Sequence, residues 1–101
     1  MAKQRIIWSP RAKLDLFEIL DFYYRRNGSK TYSIKLNFIF RKAIRMIEKY
    51  PKLGVQTDIP NIRVLIENNY AIFYEIKNDV VEISSIWDCR QKPEDIKFLH
   101  K

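Results

Sequence analysis

The chain of 101 residues contains one cysteine, Cys89, and one histidine, His100. A lone cysteine excludes an internal disulfide and suits a reducing compartment, where such a residue is usually a small part of the core. A lone histidine beside the C-terminus leaves no Cys/His cluster, so no structural metal is expected and no cofactor is implied. Long apolar runs are also missing. Nothing approaches the roughly 20 residues that a membrane-spanning helix needs, and Met1-Ala2-Lys3-Gln4-Arg5 is followed by no run of signal-peptide length. These absences predict a soluble cytoplasmic protein. Internal repeats and low-complexity segments are absent as well.

Acidic residues are scarce in one half only. Residues 1–50 hold 12 Lys/Arg against 4 Asp/Glu, a balance of +8, while residues 51–101 hold 7 against 8. The first half therefore carries the whole net charge of +7. A one-sided basic surface attracts polyanions or an acidic protein. The hydrophobic content of 47% and aromatic content of 14% are enough for a core, and the length fits one domain.

Gln4–Trp8 is β-branched and aromatic and reads as a strand. Ser9-Pro10 ends it and starts a helix, because serine accepts from free helix N–H groups and proline needs no donor in the first turn. Ala12, Leu16, Ile19, Leu20 and Tyr23 form that helix's apolar stripe, and Asn27-Gly28 closes it. A second helix is predicted from Lys30 to Lys49. Its stripe is Tyr32, Leu36, Ile39, Phe40, Ala43, Ile47 and Tyr50, and Pro51 blocks continuation. Lys35, Lys42 and Lys49 recur every seven residues on another face, beside Arg41 and Arg45. The short connection makes the two helices an antiparallel hairpin.

Lys52–Pro60 lacks periodicity and reads as a loop. Three strands follow: Ile62–Glu67, Tyr70–Ile76 and Val80–Trp87, joined at Asn68-Asn69 and Asn78-Asp79. In the middle strand Tyr70, Ile72, Tyr74 and Ile76 share one face, and Ala71, Phe73 and Glu75 the other. Pro93–Leu99 reads as a short terminal helix or arm. The predicted fold is α+β in the order β-α-α-β-β-β. The helical hairpin packs on one face of a four-stranded, mostly antiparallel sheet, and the second strand runs antiparallel to the first. The opposite sheet face is expected to be partly free.

The order of elements carries a family resemblance. Its residues are Ile7-Trp8-Ser9-Pro10, Ala12, Leu16, Ile19, Tyr23, Tyr50-Pro51, Gly54, Arg63, Tyr70-Ala71-Ile72-Phe73-Tyr74, Ile83, Ile86 and Arg90-Gln91. On these the chain resembles, over nearly its whole length, the RelE/ParE superfamily of type II toxin–antitoxin toxins, also called plasmid stabilisation proteins. The resemblance implies a bacterial growth inhibitor held inactive by a cognate acidic antitoxin. It implies one of two activities: RelE-like members cleave mRNA on the ribosome, and ParE-like members inhibit DNA gyrase without catalysis. Fold does not choose between them.

Metal-independent RNA cleavage needs a base for the 2′-OH, charge stabilisation at the phosphate and an acid for the leaving oxygen. On the resemblance, Arg63 and Arg90 are the candidate phosphate ligands, converging on the exposed sheet face. Tyr70 and Asp88 are candidate partners, and Lys35, Arg41, Lys42, Arg45 and Lys49 are the candidate RNA-binding face. Ribosomal mRNA cleavage is the first expectation, and gyrase inhibition is the alternative. Tyr74 lies among apolar neighbours, which favours packing over catalysis, and Glu67 reads as a solvated turn carboxylate. Asp88 stands where many relatives carry a histidine, and a carboxylate donates no proton near neutral pH unless its pKa is raised. Lys92-Pro93-Glu94-Asp95 lacks the terminal tyrosine of the best-known nucleases.

Overall fold

A computed structural model describes residues 5–90. Strand β1 (Arg5–Trp8) leads into helix α1 (Pro10–Asn27) and helix α2 (Thr31–Lys49). A single 3-10 turn (Pro51–Leu53) precedes strands β2 (Val55–Gln56), β3 (Ile62–Glu67), β4 (Tyr70–Lys77) and β5 (Val80–Asp88). Gln4 and the predicted terminal segment Pro93–Leu99 lie outside the described residues. Among the described residues no helix is long and apolar enough to cross a membrane.

The local signals act as their chemistry requires. The Ser9 side chain accepts from the Ala12 N–H at 3.0 Å, and Gly28 closes α1 at φ 67°. Only glycine enters that left-handed region without a steric cost, so α1 stops there. Asn68 and Asn69, at φ 59° and 86°, make the tight turn between β3 and β4.

The sheet has five strands in the order β1-β5-β4-β3-β2. It is five-stranded rather than four-stranded, because the predicted Lys52–Pro60 loop contributes the two-residue β2, antiparallel to β3, and the one parallel pairing, β1 with β5, makes it mixed. β3, β4 and β5 form the expected antiparallel meander, and β1 lies parallel to β5 with Trp8 opposite Ile83. The direction of the strand at Ile62–Glu67 is therefore corrected. Two helices return the chain antiparallel to β1, but β2 takes that place, and β3 turns once more to run with β1.

The alternation predicted for β4 divides two clusters. Tyr70, Ile72 and Tyr74 join Ala12, Leu16, Leu36, Phe40 and Ile47 in the main core between helices and sheet. Ala71 and Phe73 face the other way, where they form a smaller cluster with Ile62, packed by Ile59, Val64 and Trp87. Phe73 and Ala71 are each 5% exposed, but Ile66 and Ile7 on the same face are 58% and 40% exposed, so this face is partly free, as expected. Tyr50 also departs from its predicted stripe. The chain leaves the helix at Lys49 and turns through Pro51, which leaves Tyr50 53% exposed, and Ile44 fills the core instead.

Candidate functional site

The site begins with an edge left open by a short strand. β1 covers β5 only from Val80 to Ile83. The β4–β5 register slips between Phe73/Tyr74, opposite Ser85 and Ile83, which leaves Ser84 as the extra residue of a bulge. Beyond it, α1 satisfies the exposed backbone of β5 with side chains. The Ser9 hydroxyl donates to the Ser84 carbonyl at 2.9 Å, and the Ile86 N–H donates to the Asp15 carboxylate at 3.0 Å. Asp15 is 7% exposed and is also paired with Arg11 at 3.1 Å. Burial raises its pKa above 3.8, against the Ile86 N–H and the Arg11 charge, which lower it.

Past Asp15, α1 and β5 diverge and leave a cleft of about 380 Å³, lined by Glu18, Phe22, Tyr23, Tyr70, Trp87 and Asp88 among others. A polar cluster closes its end. Arg90 Nε and Nη2 donate to the two carboxylate oxygens of Asp88 at 2.9 Å each. Nη2 also donates to the Tyr23 hydroxyl at 2.8 Å. The Tyr70 hydroxyl donates to Tyr23 at 3.2 Å. Arg90 lowers the pKa of Tyr23 and, through its hydrogen bonds, that of Asp88. Tyr70 is pushed well above the usual tyrosine range, first by burial and then by donating to Tyr23. Three of the candidates, Tyr70, Asp88 and Arg90, therefore share one cluster.

Arg63 is elsewhere. It pairs in register with Tyr74, four residues along β4 from Tyr70, or roughly 13 Å at ~3.3 Å per residue. Its Nη1 donates to the carbonyls of Gly54 at 2.7 Å and Lys52 at 3.3 Å. Tyr74 completes this anchor, donating to the Pro51 carbonyl at 2.7 Å and accepting from the Gly54 N–H at 2.8 Å. Gly54 is needed for that approach, since a Cβ there would stand 2.7 Å from the Tyr74 hydroxyl and 2.8 Å from the Val64 carbonyl. The expected convergence of Arg63 and Arg90 on an exposed sheet face is thus corrected. Tyr70 and Tyr74, their register and bonding partners, both belong to the core between helices and sheet. The two arginines are held at different points along that side of the sheet.

The basic face of α2 is present. Lys35, Arg41, Lys42, Arg45 and Lys49 are all exposed, and the Arg41 guanidinium stacks on Trp8 at 5.3 Å. Apolar side chains interrupt this face: Ile34, Phe38 and Met46 are 65%, 60% and 40% exposed. Between α2 and the edge at β3 lies a second cleft of about 430 Å³, lined by Phe38, Lys42, Met46, Leu53, Leu65 and Glu67. Glu67 is half-buried beside it rather than free in the turn.

Cys89 is exposed, not in the core as predicted, because β5 ends at Asp88 and the chain leaves the sheet. Partial shielding and the Asp88 charge raise its pKa, the opposite of what a nucleophile requires. Sequence reasoning missed Asp15 and placed Tyr23 only in a core stripe. The one signal for Asp15 was its position next to Leu16 and three residues from Ala12, an acid on the margin of an apolar stripe.

A helical hairpin laid on one face of a five-stranded mixed sheet, with exposed basic-apolar surfaces, defines a small α+β protein built around surfaces and shallow clefts. The sequence profile described as "ParE toxin of type II toxin-antitoxin system, parDE" matches residues 6–93, and the chain belongs to that family. It is a toxin of the type II toxin–antitoxin class. The fold is similar to that in a structure entitled "Chromosomal ParDE TA system from P. aeruginosa", with a TM-score of 0.73 and 18% identity over 85% of this chain and 96% of that one. It is also similar to a YoeB dimer from Staphylococcus aureus, with a TM-score of 0.52 and 18% identity over 85% of this chain and 97% of that one. No curated protein sequence matches the chain.

Proposed function

We propose that this toxin inhibits growth as a non-catalytic binder, with DNA gyrase as its target, and is neutralised by a cognate acidic antitoxin. One observation carries this reading. Arg63 and Arg90, the two arginines on which RNA cleavage would depend, are each committed to the protein's own hydrogen bonds at separate places. Cleavage asks for phosphate ligands and an acid–base pair around one reacting phosphate. The neighbours of Arg90 do not supply the pair. Tyr70 is held protonated by burial, and Asp88 is held ionised by Arg90, so neither exchanges a proton readily near neutral pH. Protein inhibition needs only a complementary surface, and the interleaved basic and apolar residues of α2 supply one.

The antitoxin reading rests on charge and on the family. An acidic, amphipathic segment fits the cleft between α2 and β3, with its apolar side chains against Phe38, Met46, Leu53 and Leu65 and its acids facing Lys42.

The second reading, ribosome-dependent mRNA cleavage, draws on the same residues: Lys35, Arg41, Lys42, Arg45 and Lys49 would grip RNA, and Arg90 with Tyr70 and Asp88 would act at the phosphate. The two readings separate in one experiment. Purified toxin should inhibit DNA supercoiling by gyrase, and induction in cells should raise a DNA-damage response with filamentation. Defined new mRNA ends after induction, with gyrase supercoiling untouched, would overturn the proposal in favour of cleavage.

A further inference from the structure

The open edge of β5 is a feature that neither target reading uses. In an antiparallel pair, successive residues turn their N–H and C=O groups alternately toward and away from the partner strand. Cys89 donates its N–H to the Asn69 carbonyl at 2.8 Å, on the β4 side, so residues 87 and 89 face β4. Ile86 and Asp88 then face the other way, and the Ile86 N–H indeed meets Asp15 on α1. That leaves the Ile86 C=O and the Asp88 N–H directed at the cleft, without a partner among the described residues. In space they continue the line of β1, which stops at Trp8.

Two side chains add to this edge. Tyr23 is 8% exposed and lines the cleft, and its oxygen accepts from both Arg90 and Tyr70. Tyr70 also accepts from Arg90, at 3.4 Å, so the two hydroxyls between them keep one hydrogen that no acceptor among the described residues takes. Glu18 is exposed on the same wall and has no ion pair among them. Asp15 is matched by Arg11, and Asp88 by Arg90. The cleft therefore keeps one uncompensated negative charge in a chain whose net charge is +7.

We propose that the cleft between α1 and β5 takes an extended segment of a partner protein by strand addition, with a lysine or arginine of that segment against Glu18. The segment's N–H meets the Ile86 carbonyl, one of its carbonyls meets the Asp88 N–H, and another meets the free hydroxyl hydrogen of the Tyr23–Tyr70 pair. Main-chain bonds supply the attachment and the charge at Glu18 supplies the selectivity. The surface differs from the basic cleft between α2 and β3, so an acidic segment and a basic one can be held together.

Backbone NMR of the full-length toxin, titrated with capped peptides, tests this. The probe is a pentapeptide Thr-Val-Arg-Val-Thr, with two controls: Glu in place of Arg, and an N-methylated version that cannot donate to the ladder. The expected result is shift changes confined to the amides of Ile86–Asp88 and to Tyr23, with slowed exchange of the Asp88 N–H. The Glu peptide and the N-methylated peptide should each bind about tenfold more weakly, near 1.4 kcal/mol. Glu18→Lys, an exposed change that spares the fold, should reverse the Arg-over-Glu preference. No shift at millimolar peptide, equal binding of the N-methylated probe, or an unchanged preference in Glu18→Lys would each overturn the proposal.

Discussion

Asp15 gives the sharpest test of how this fold is held together. Asp15→Ala removes the acceptor of the Ile86 N–H, a 3.0 Å bond inside a residue that is 4% exposed. Leaving a buried N–H unsatisfied costs about 1–3 kcal/mol. The lost ion pair adds little, because Arg11 is 62% exposed and solvent screens it; such pairs are worth ~0.3–0.5 kcal/mol. A total near 2 kcal/mol should lower the melting temperature by about 10 °C in a chain of this size. Asp15→Asn keeps an acceptor of the same shape and should cost under ~1 kcal/mol. The pH dependence separates charge from hydrogen bonding. The pKa of Asp15 is raised above 3.8 in the folded state, so the native state binds the proton more tightly than the unfolded state. The wild-type contribution is then fullest below pH 3.8 and declines as the pH rises through the folded value. The stability of wild type relative to Asp15→Asn should therefore fall from acid to neutral pH. Urea denaturation followed by circular dichroism at several pH values measures all three proteins. Equal losses for Asn and Ala, or a relative stability that climbs with pH, would refute the reasoning.

Ser9→Ala should cost about 1–2 kcal/mol in the same assay, because it removes the α1 cap and the bond to the Ser84 carbonyl together. Gly54→Ala should cost about 1–3 kcal/mol, since its Cβ would meet the Tyr74 hydroxyl at 2.7 Å and a backbone carbonyl at 2.8 Å; proteolysis near Pro51–Leu53 should rise with it. On the binder reading, the double mutant Arg63→Ala/Arg90→Ala should keep its toxicity on induction, while a nuclease would lose about 2.7–4 kcal/mol of transition-state stabilisation per donor. Lys42→Glu/Lys49→Glu should weaken capture of an acidic antitoxin from a co-expressed pair, and the wild-type complex should weaken with salt.

Particular residues mark where sequence ends and tertiary structure begins. Ser9-Pro10, Asn27-Gly28, Pro51 and the two Asn-led turns bounded the elements from sequence, because caps and left-handed residues act over a few positions. The two-residue period of β4 likewise assigned Tyr70, Ile72 and Tyr74 to the core and Ala71 and Phe73 to the other face. The concentration of positive charge on the helices was legible by counting. The two-residue β2 was not, because so short a strand exists only through its pairing with β3. Nor was the separation of Arg63 from Arg90, which depends on strand register and on acceptors 9 and 67 residues away, Gly54 and Tyr23. Asp15 is the extreme case: its partner Ile86 lies 71 residues on, and only the end of β1 at Trp8 exposes the N–H that it serves. Sequence alone determined the helices, the longer strands, their bounding caps and turns, most of the core stripes and the basic half, because each depends on neighbours in the chain. The tertiary structure decided the fifth strand, the mixed direction of the sheet and the company each arginine keeps, because these depend on which distant backbone groups remain unpaired once the strands have met.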